Sequence, residues 1–176
     1  HNAISGVMWG TGTSENVVLA VVPMFHITGM VSLHSAIYMG ATLIIMPRWE
    51  RELAGRLISH YQVTSWTNIP TMVIDLLASP NFASFDLSSL KYIGGGGAAM
   101  PQAVAQRLLE QYGLRFCEGY GLTETGPTIA QTRGAPRADC AVGQPIPGVE
   151  ASLRGPGGLP VAARWTYGPL ARGPPG

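Results

Sequence analysis

Short apolar runs alternate with longer amphipathic stretches along this chain. The runs are rich in branched aliphatic side chains and lie at residues 16–22, 41–47, 63–69, 90–93 and 114–120. Apolar runs of this length, bounded by turn residues, are typical of buried strands. Because helical stretches separate them, the pattern predicts an α/β fold with a mainly parallel sheet and helices on both faces.

Four stretches have the apolar spacing of helices: residues 27–40, 49–62, 70–78 and 101–112. Gly40 is a typical glycine at a helix C-terminus, and Pro70 and Pro101 suit a first helical turn. We expect the second and the last helix to bury one apolar stripe each. These stripes are Leu53, Leu57, Ile58 and Tyr61 in the second helix, and Val104, Leu108 and Leu109 in the last.

The remaining segments carry weaker signals. Residues 79–89 are predicted to form a polar loop, and residues 149–153 a short strand. We expect residues 1–150 to form one α/β subdomain. Residues 151–176 are rich in glycine and proline, which predicts an irregular tail, or at most the start of a β-barrel segment.

Composition excludes several classes of function. The chain of 176 residues has a net charge of +1 and only 12% charged residues, so we expect neither nucleic acid nor another electrostatic partner. No apolar run approaches the roughly 20 residues that span a bilayer, so no transmembrane segment is predicted. Cys117 and Cys140 lack metal-site spacing. A reducing cytoplasmic location fits best, with peripheral membrane contact left open; the oligomeric state is not indicated.

Four consecutive glycines, residues 94–97, lie between a predicted strand and a helix. Glycines there let a backbone approach a flat or phosphorylated ligand, although a sharp turn without a ligand would also use them. A G-x-G-x-x-G dinucleotide motif would end at Ala99, an accepted variant, with Glu118 as the acid for a ribose hydroxyl. An NAD(P)-binding Rossmann-like module is therefore one alternative.

The stretch "EGYGLTET" combines groups that suit a nucleotide. Tyr120, between Gly119 and Gly121, can stack on a base. Thr123 offers a hydroxyl, and Glu124 offers a carboxylate of the type that magnesium prefers beside substrate phosphates. Alternatively, Tyr120 packs in the protein, and Thr123 and Glu124 only begin a helix. The spacing alone leaves both interpretations open.

Four stretches in order resemble the adenylate-forming, or AMP-binding, superfamily of acyl-CoA synthetases, luciferases and adenylation domains. "EGYGLTET" resembles its YGxTE signature, and "VVPMFHITGM" resembles the P-x-F-H segment of acyl-CoA synthetases. "TNIPTM" resembles their P-T segment, and "GGGGAAMP" their Gly-Gly-Ala loop. The likeness covers at least residues 1–150, including "VGQPIPGVE". It implies the large N-terminal domain of an acyl-CoA synthetase-like fold.

The resemblance implies a two-step ligase. A carboxylic acid, of fatty-acid type, would attack ATP to give an acyl adenylate, and coenzyme A would then take the acyl group. Tyr120 would stack on adenine, Glu118 would accept from its amino group, Thr123 would contact the α-phosphate and Glu124 would hold Mg²⁺. The binding floor would consist of Gly95, Gly96, Gly97 and Ala98, with Gly119 and Gly121 beside the tyrosine.

His26 would line the acyl and thiol side of such a site and orient the carboxylate as a neutral imidazole. The alternative is a structural role, in which His26 is buried and donates a hydrogen bond to a backbone carbonyl. The other histidines, His1, His34 and His60, are expected to be structural. Adenylation domains for amino acids carry an aspartate in this segment, and "PMFHITGM" has none, which favours an acid without an amine. Residues 26–40, with Thr67 and Ile69, predict an apolar wall for an alkyl or aryl chain.

Several parts of the family pattern are missing. The family's lysine-ended phosphate loop, its later ribose-binding aspartate and its small C-terminal domain have no counterpart in these residues. "GTGTSEN", residues 10–16, lacks the lysine and is predicted to be a turn. We therefore expect an inner fragment that is inactive alone, and a non-catalytic remnant stays a further alternative.

Overall fold

The computed structural model describes residues 2–10, 12–132 and 143–150 of the chain. The helices in this part are Asn2–Trp9 (α1), Ile27–Met39 (α2), Arg51–Tyr61 (α3), Pro70–Leu77 (α4) and Gln102–Tyr112 (α5). The strands are Val17–Ala20 (β1), Thr42–Ile45 (β2), Ser65–Asn68 (β3), Tyr92–Gly95 (β4), Phe116–Tyr120 (β5), Ala130–Gln131 (β6) and Gln144–Pro145 (β7). Phe82–Ser84 and Thr123–Thr125 form single 3₁₀ turns.

The described strands form one sheet in the order β2-β1-β3-β4-β5-β6-β7. From β2 to β5 all neighbours are parallel, and β6 and β7 add an antiparallel edge. After β1 the chain forms β2 on one side of it, and then forms β3 and the later strands on its other side. Such a reversal opens a crevice at the carboxyl ends of the strands, where open α/β sheets bind ligands. The predicted fold class is confirmed.

One face of the sheet, here called the core face, carries the main hydrophobic core. Leu19, Trp66, Ile93 and Phe116 lie in register across β1, β3, β4 and β5, and none is more than 5% exposed. Side chains from α3, α4 and α5 complete this cluster: Ala54, Ile58, Val73, Leu76 and Leu108. Since burial of apolar area is the dominant favourable term in folding, this layer holds the sheet together.

The opposite face of the sheet is here called the cavity face. Neighbouring residues of a strand point to opposite faces, so Val18, Ser65 and Tyr92 alternate with the core residues. These side chains line a cavity together with residues of α1 and α2, such as Val7 and Val31. The helices therefore lie on both faces of the sheet.

Local signals set the ends of the helices largely as the sequence predicts. Gly40 ends α2 with φ 69°, and its N–H donates to the carbonyls of Ala36 and Ile37. Pro70 occupies the first turn of α4. Glu50 caps α3, since its carboxylate accepts from the N–H groups of Glu52 and Leu53; the sequence analysis did not identify this cap.

The predicted apolar stripes are partly wrong. In α3, Leu53 is 38% and Tyr61 48% exposed, while Ala54 and Ile58 are fully buried. In α5, Leu108 is buried, but Leu109 is 43% exposed. In α3 the buried face is thus shifted towards the small residue Ala54, and in α5 it is narrower than predicted.

One further prediction needs correction, and one helix was not predicted. The segment 79–89 is not simply polar, since Phe82 and Phe85 pack against the core and Phe82 contacts the ring of Tyr112 at 5.3 Å. Helix α1 was not predicted. It packs on α2, and Asn2 Nδ2 donates to the carbonyl of Thr128, so tertiary contacts support it.

Some predictions lie wholly or partly outside the described residues. These include the tail at 151–176 and Cys140. Of the predicted strand at 149–153, Val149 and Glu150 are described and belong to no strand. Within the described segments, every helix is too short or too polar to span a bilayer.

Candidate functional site

A cavity of about 730 Å³ lies between the cavity face of the sheet and the helices α1 and α2. It opens at the carboxyl ends of β1, β3, β4 and β5, the position that the strand order predicts for a ligand. Its volume is in the range of small-molecule and cofactor sites.

Most of the site residues predicted from the sequence line this one cavity. They come from four separate segments: the loop after β1, the glycines after β4, the end of β5 and the 3₁₀ turn that follows it. The residues are His26, Gly95, Gly96, Gly97, Gly119, Tyr120, Gly121, Thr123 and Glu124. The fold therefore brings together what the sequence could only place in order.

Glycine is favoured at Gly95, Gly96 and Gly97 for different physical reasons. An added Cβ would meet the Asn68 carbonyl oxygen 1.7 Å away at Gly95, and the Gly119 oxygen 2.4 Å away at Gly96. Both glycines are thus needed for close packing between neighbouring strands. Gly97 differs, because it has φ +83° and only open space around the added atom. Close approach of a ligand, the predicted reason for the run, applies best to Gly97.

Tyr120 and the turn that follows it are accessible from the cavity. The Tyr120 side chain is 49% exposed, while the Tyr120 carbonyl accepts from the N–H of Ile129 and fixes the backbone. The turn is closed by Thr125, whose hydroxyl accepts from Leu122 N–H and donates to Leu122 O. Among the described residues the side chains of Thr123 and Glu124 have no hydrogen-bond partner. They are exposed and can contact a ligand.

His26 is the N-terminal cap of α2. Its side chain is exposed, and Nδ1 accepts a hydrogen bond of 3.2 Å from the N–H of Thr28. The alternative of a buried histidine donating to a carbonyl is therefore wrong. Because Nδ1 acts as acceptor, the neutral ring carries its hydrogen on Nε2 and offers a donor at the cavity. His34 and His60 are exposed and lie outside the cavity lining, and His1 is outside the described residues.

Two predicted contact residues lie elsewhere. Ala98 is exposed after the glycines and is absent from the cavity lining. Glu118 is 3% exposed, points to the core face, and accepts a 2.7 Å hydrogen bond from Met100 N–H. Its backbone N–H donates to the Thr132 hydroxyl. Glu118 thus ties β5 to the segment before α5, which does not favour contact with adenine or with the ribose of a dinucleotide.

Three polar residues of the cavity lining were not predicted from the sequence: Asn68, Tyr92 and Gln131. Asn68 is 1% exposed, and its Oδ1 has no hydrogen-bond partner among the described residues. Gln131 Nε2 donates to the Tyr92 hydroxyl at 2.6 Å. For Asn68 and Tyr92 the available signal was a polar side chain within a predicted apolar run, whereas Gln131 belongs to no predicted strand. The predicted apolar wall is accordingly incomplete, since Ser32 and Ser35 of α2 also line the cavity.

Burial, chiefly, raises the pKa of the Tyr92 phenol, and the nearby Cys117 raises it further, against a smaller opposing effect of the Gln131 hydrogen bond. The phenol therefore stays neutral across the physiological pH range and keeps a hydrogen to donate.

The donor set fits a metal held jointly with a ligand. No group of three or more histidine, cysteine or acidic side chains that could hold a metal occurs in the described part of the chain. Glu124 is a single exposed carboxylate at the edge of the cavity. Mg²⁺ is commonly bound through one or two carboxylates together with substrate phosphates, so Glu124 suits it only in the presence of a phosphorylated ligand.

Comparison with known proteins finds the family that the sequence motifs resemble. Residues 1–172 match the family model for the AMP-binding enzyme. A long-chain-fatty-acid–CoA ligase of Bacillus subtilis is 31% identical over 160 residues. A fatty acyl-CoA synthetase of Mycobacterium tuberculosis superposes with a TM-score of 0.83 at 24% identity, covering 90% of this chain and 32% of that one.

A further solved structure is that of O-succinylbenzoate coenzyme A synthetase from Bacillus subtilis in complex with ATP and magnesium. It superposes with a TM-score of 0.81 at 23% identity, over 91% of this chain and 33% of that one. The chain is covered to 89% by the curated Bacillus ligase but spans only 29% of its length. The chain belongs to the family of AMP-binding enzymes.

Proposed function

We propose that this chain forms part of the catalytic domain of an AMP-forming carboxylic acid–CoA ligase. In the first step a carboxylate oxygen attacks the α-phosphorus of ATP, and pyrophosphate leaves. In the second step the thiol of coenzyme A loses its proton and attacks the acyl carbon, and AMP leaves. The acid lacks an amine and is of fatty-acid or aryl type.

The observation that supports this proposal best is the shared cavity. His26, Gly97, Tyr120, Thr123 and Glu124 come from segments far apart in the sequence, yet all line the same space. Acyl and phosphoryl transfer depend strongly on holding reactants in position, and a cavity with groups of several kinds around it can do this.

The position of each residue supports a proposed role. The exposed ring of Tyr120 stacks on adenine. The Thr123 hydroxyl donates to a phosphate oxygen, and His26 Nε2–H donates to the carboxylate of the acid. Glu124 would contribute one oxygen ligand to Mg²⁺, and the ion, when bound, would supply positive charge beside the phosphates. Gly97 leaves room for the ligand beside the backbone.

The test is ATP-dependent pyrophosphate release by the full-length protein with a panel of fatty and aryl acids, followed by acyl-CoA formation. Glu124→Gln should raise the magnesium concentration needed for half-maximal rate and lower kcat. The matched control is Glu110→Gln on α5, because Glu110 is exposed and lies outside the cavity lining.

Three outcomes are informative. Pyrophosphate release that fails in Glu124→Gln but not in Glu110→Gln supports the proposal. Binding of ATP without turnover of any acid favours a non-catalytic remnant. Protection by nicotinamide dinucleotides, without any response to ATP and magnesium, would instead support the dinucleotide alternative and contradict the ligase.

A further inference from the structure

A pair of polar side chains, neither of them a predicted nucleotide contact, lies on the floor of the cavity. Tyr92 and Gln131 both line the cavity and are joined by the 2.6 Å hydrogen bond from Gln131 Nε2 to the Tyr92 hydroxyl. They come from β4 and β6, which are separated in the sheet by β5. The bond therefore spans the cavity face across the intervening strand.

The neighbouring backbone makes room for this arrangement. A Cβ added at Gly94 would lie 2.7 Å from the Tyr92 hydroxyl oxygen and 2.9 Å from Cζ. The hydroxyl end of the Tyr92 ring thus lies over Gly94 on the cavity face. Gly94 precedes Gly95, Gly96 and Gly97, so the hydroxyl lies on the amino-terminal side of these three glycines.

The pair has unused hydrogen-bonding capacity. In the part of the chain that the structure describes, the Tyr92 hydroxyl accepts from Gln131 but donates to no protein atom. The Gln131 Oε1 atom likewise receives no hydrogen bond from a described residue. The floor therefore offers one donor and one acceptor side by side. A neutral hydroxyl group of a ligand matches both, because it can accept from Tyr92 and donate to Gln131.

A purely apolar tail would fit this floor poorly. It would cover the phenol and the amide oxygen without replacing the water that can satisfy them, and leaving buried polar groups unpaired is costly. Sites built to hydrogen-bond a substrate hydroxyl discriminate strongly against analogues that lack it. The chemistry of the floor thus restricts the acid that the cavity accepts.

We propose that Tyr92 and Gln131 are specificity residues that select a carboxylic acid bearing a hydroxyl group on the part of the molecule remote from its carboxylate. The inference rests on the proposed function, since it takes the cavity to be the acid site. It concerns the polarity of the tail and applies to alkyl and aryl acids alike.

The experiment measures acid binding by calorimetry on the full-length protein with matched pairs of acids. The alkyl pairs are ω-hydroxy and unsubstituted fatty acids from hexanoate to dodecanoate. The aryl pair is para-hydroxyphenylpropanoate and phenylpropanoate. We expect the wild-type protein to bind the hydroxylated member at least about tenfold more tightly in one series, which corresponds to about one neutral hydrogen bond.

The variants separate this role from a structural one. Tyr92→Phe and Gln131→Met keep the approximate volume and should each reduce the preference towards one. Tyr112→Phe is the matched control, because Tyr112 packs against Phe82 on the core side of the sheet. It should keep the full preference.

The outcomes distinguish this inference from the proposed function. Because binding is measured directly, a preference that Tyr92→Phe abolishes supports the inference even if no acid releases pyrophosphate. Pyrophosphate release with equal affinity for both members of every pair overturns the inference and leaves the ligase proposal intact. An undiminished preference in both cavity variants, or failure to bind any acid, also overturns it.

Discussion

The two faces of the central sheet are built from the same strands but have opposite properties. On the core face, Leu19, Trp66 and Ile93 are at most 2% exposed and pack beneath α3, α4 and α5. On the cavity face, Ser65 and Tyr92 are only partly buried and border open space. The alternation of side chains along each strand therefore separates a face that forms the core from a face that lines the cavity.

The difference shows how a parallel sheet can hold a polar site without losing its core. Polar side chains on a fully packed sheet would each need an internal partner, because burying an unpaired polar group is unfavourable. Here the polar groups face a cavity, where water or a ligand can pair them. Substitutions on the two faces should consequently affect different measurements.

The largest expected effect is on the core face. Trp66→Ala removes a fully buried ring that stacks on Trp49 at 5.6 Å, and should lower the free energy of unfolding by about 3–5 kcal/mol. Its neighbour Ser65 faces the cavity, so Ser65→Ala should change stability by less than about 1 kcal/mol. Denaturant unfolding of the full-length protein measures both. Equal losses in the two variants would contradict the assignment of the faces.

A smaller effect on stability is expected at Glu118, at the end of the core face. Glu118→Ala leaves the Met100 N–H without its buried acceptor and should cost about 1–3 kcal/mol. Glu118→Gln keeps an acceptor and should lose less. Thermal unfolding and ATP titration distinguish the two possible roles. If Glu118→Ala weakened ATP binding strongly at unchanged melting temperature, the predicted adenine contact would be favoured instead.

In the cavity lining at the end of β5, a change should affect ligand binding and spare stability. Tyr120→Ala should weaken ATP binding by about 1–3 kcal/mol, the contribution of stacking on a base. The control is Tyr61→Ala, because Tyr61 has nearly the same exposure, 48% against 49%, but lies on α3 outside the cavity lining. Calorimetric titration with ATP and magnesium is the measurement. Equal affinities of the two variants would argue against stacking.

The five parallel strands and most helices could be predicted from the sequence, since apolar runs, prolines and Gly40 are local signals; the two-residue strands β6 and β7 were not predicted. Helix α1 could not, because it depends on contacts with α2 and Thr128. The buried stripes of α3 and α5 were also misjudged, since how closely a helix approaches the sheet is a tertiary property.

The candidate site was predictable where its residues form contiguous motifs. The segments around Tyr120 and the glycines are of this kind, and both line the cavity. Glu118 was assigned to the ligand because the sequence does not show which face of β5 it occupies. Tyr92 and Gln131 were not predicted as a pair, because their hydrogen bond joins residues 39 positions apart and leaves no local signal in the sequence.

The smallest expected effect concerns the polar links that hold the helix layer of the core face. Hydrogen bonds from Ser79, and secondarily from Asn81, hold the pKa of Glu52 below its ordinary value of 4.5. The folded-state pKa is therefore lower than the unfolded one. The stabilisation is fully present above the unfolded pKa and is lost as the pH falls through the folded value.

Ser79→Ala should raise the pKa of Glu52, and its small decrease in melting temperature should be greatest at neutral pH and shrink in acid. NMR titration of the side-chain carboxyls measures the shift. Ser88→Ala is the control, because Ser88 lowers the pKa of Asp86 and should leave Glu52 unchanged. A loss in Ser79→Ala that stayed constant down to strongly acidic pH would mean that packing, and not the carboxylate, links α3 to the end of α4.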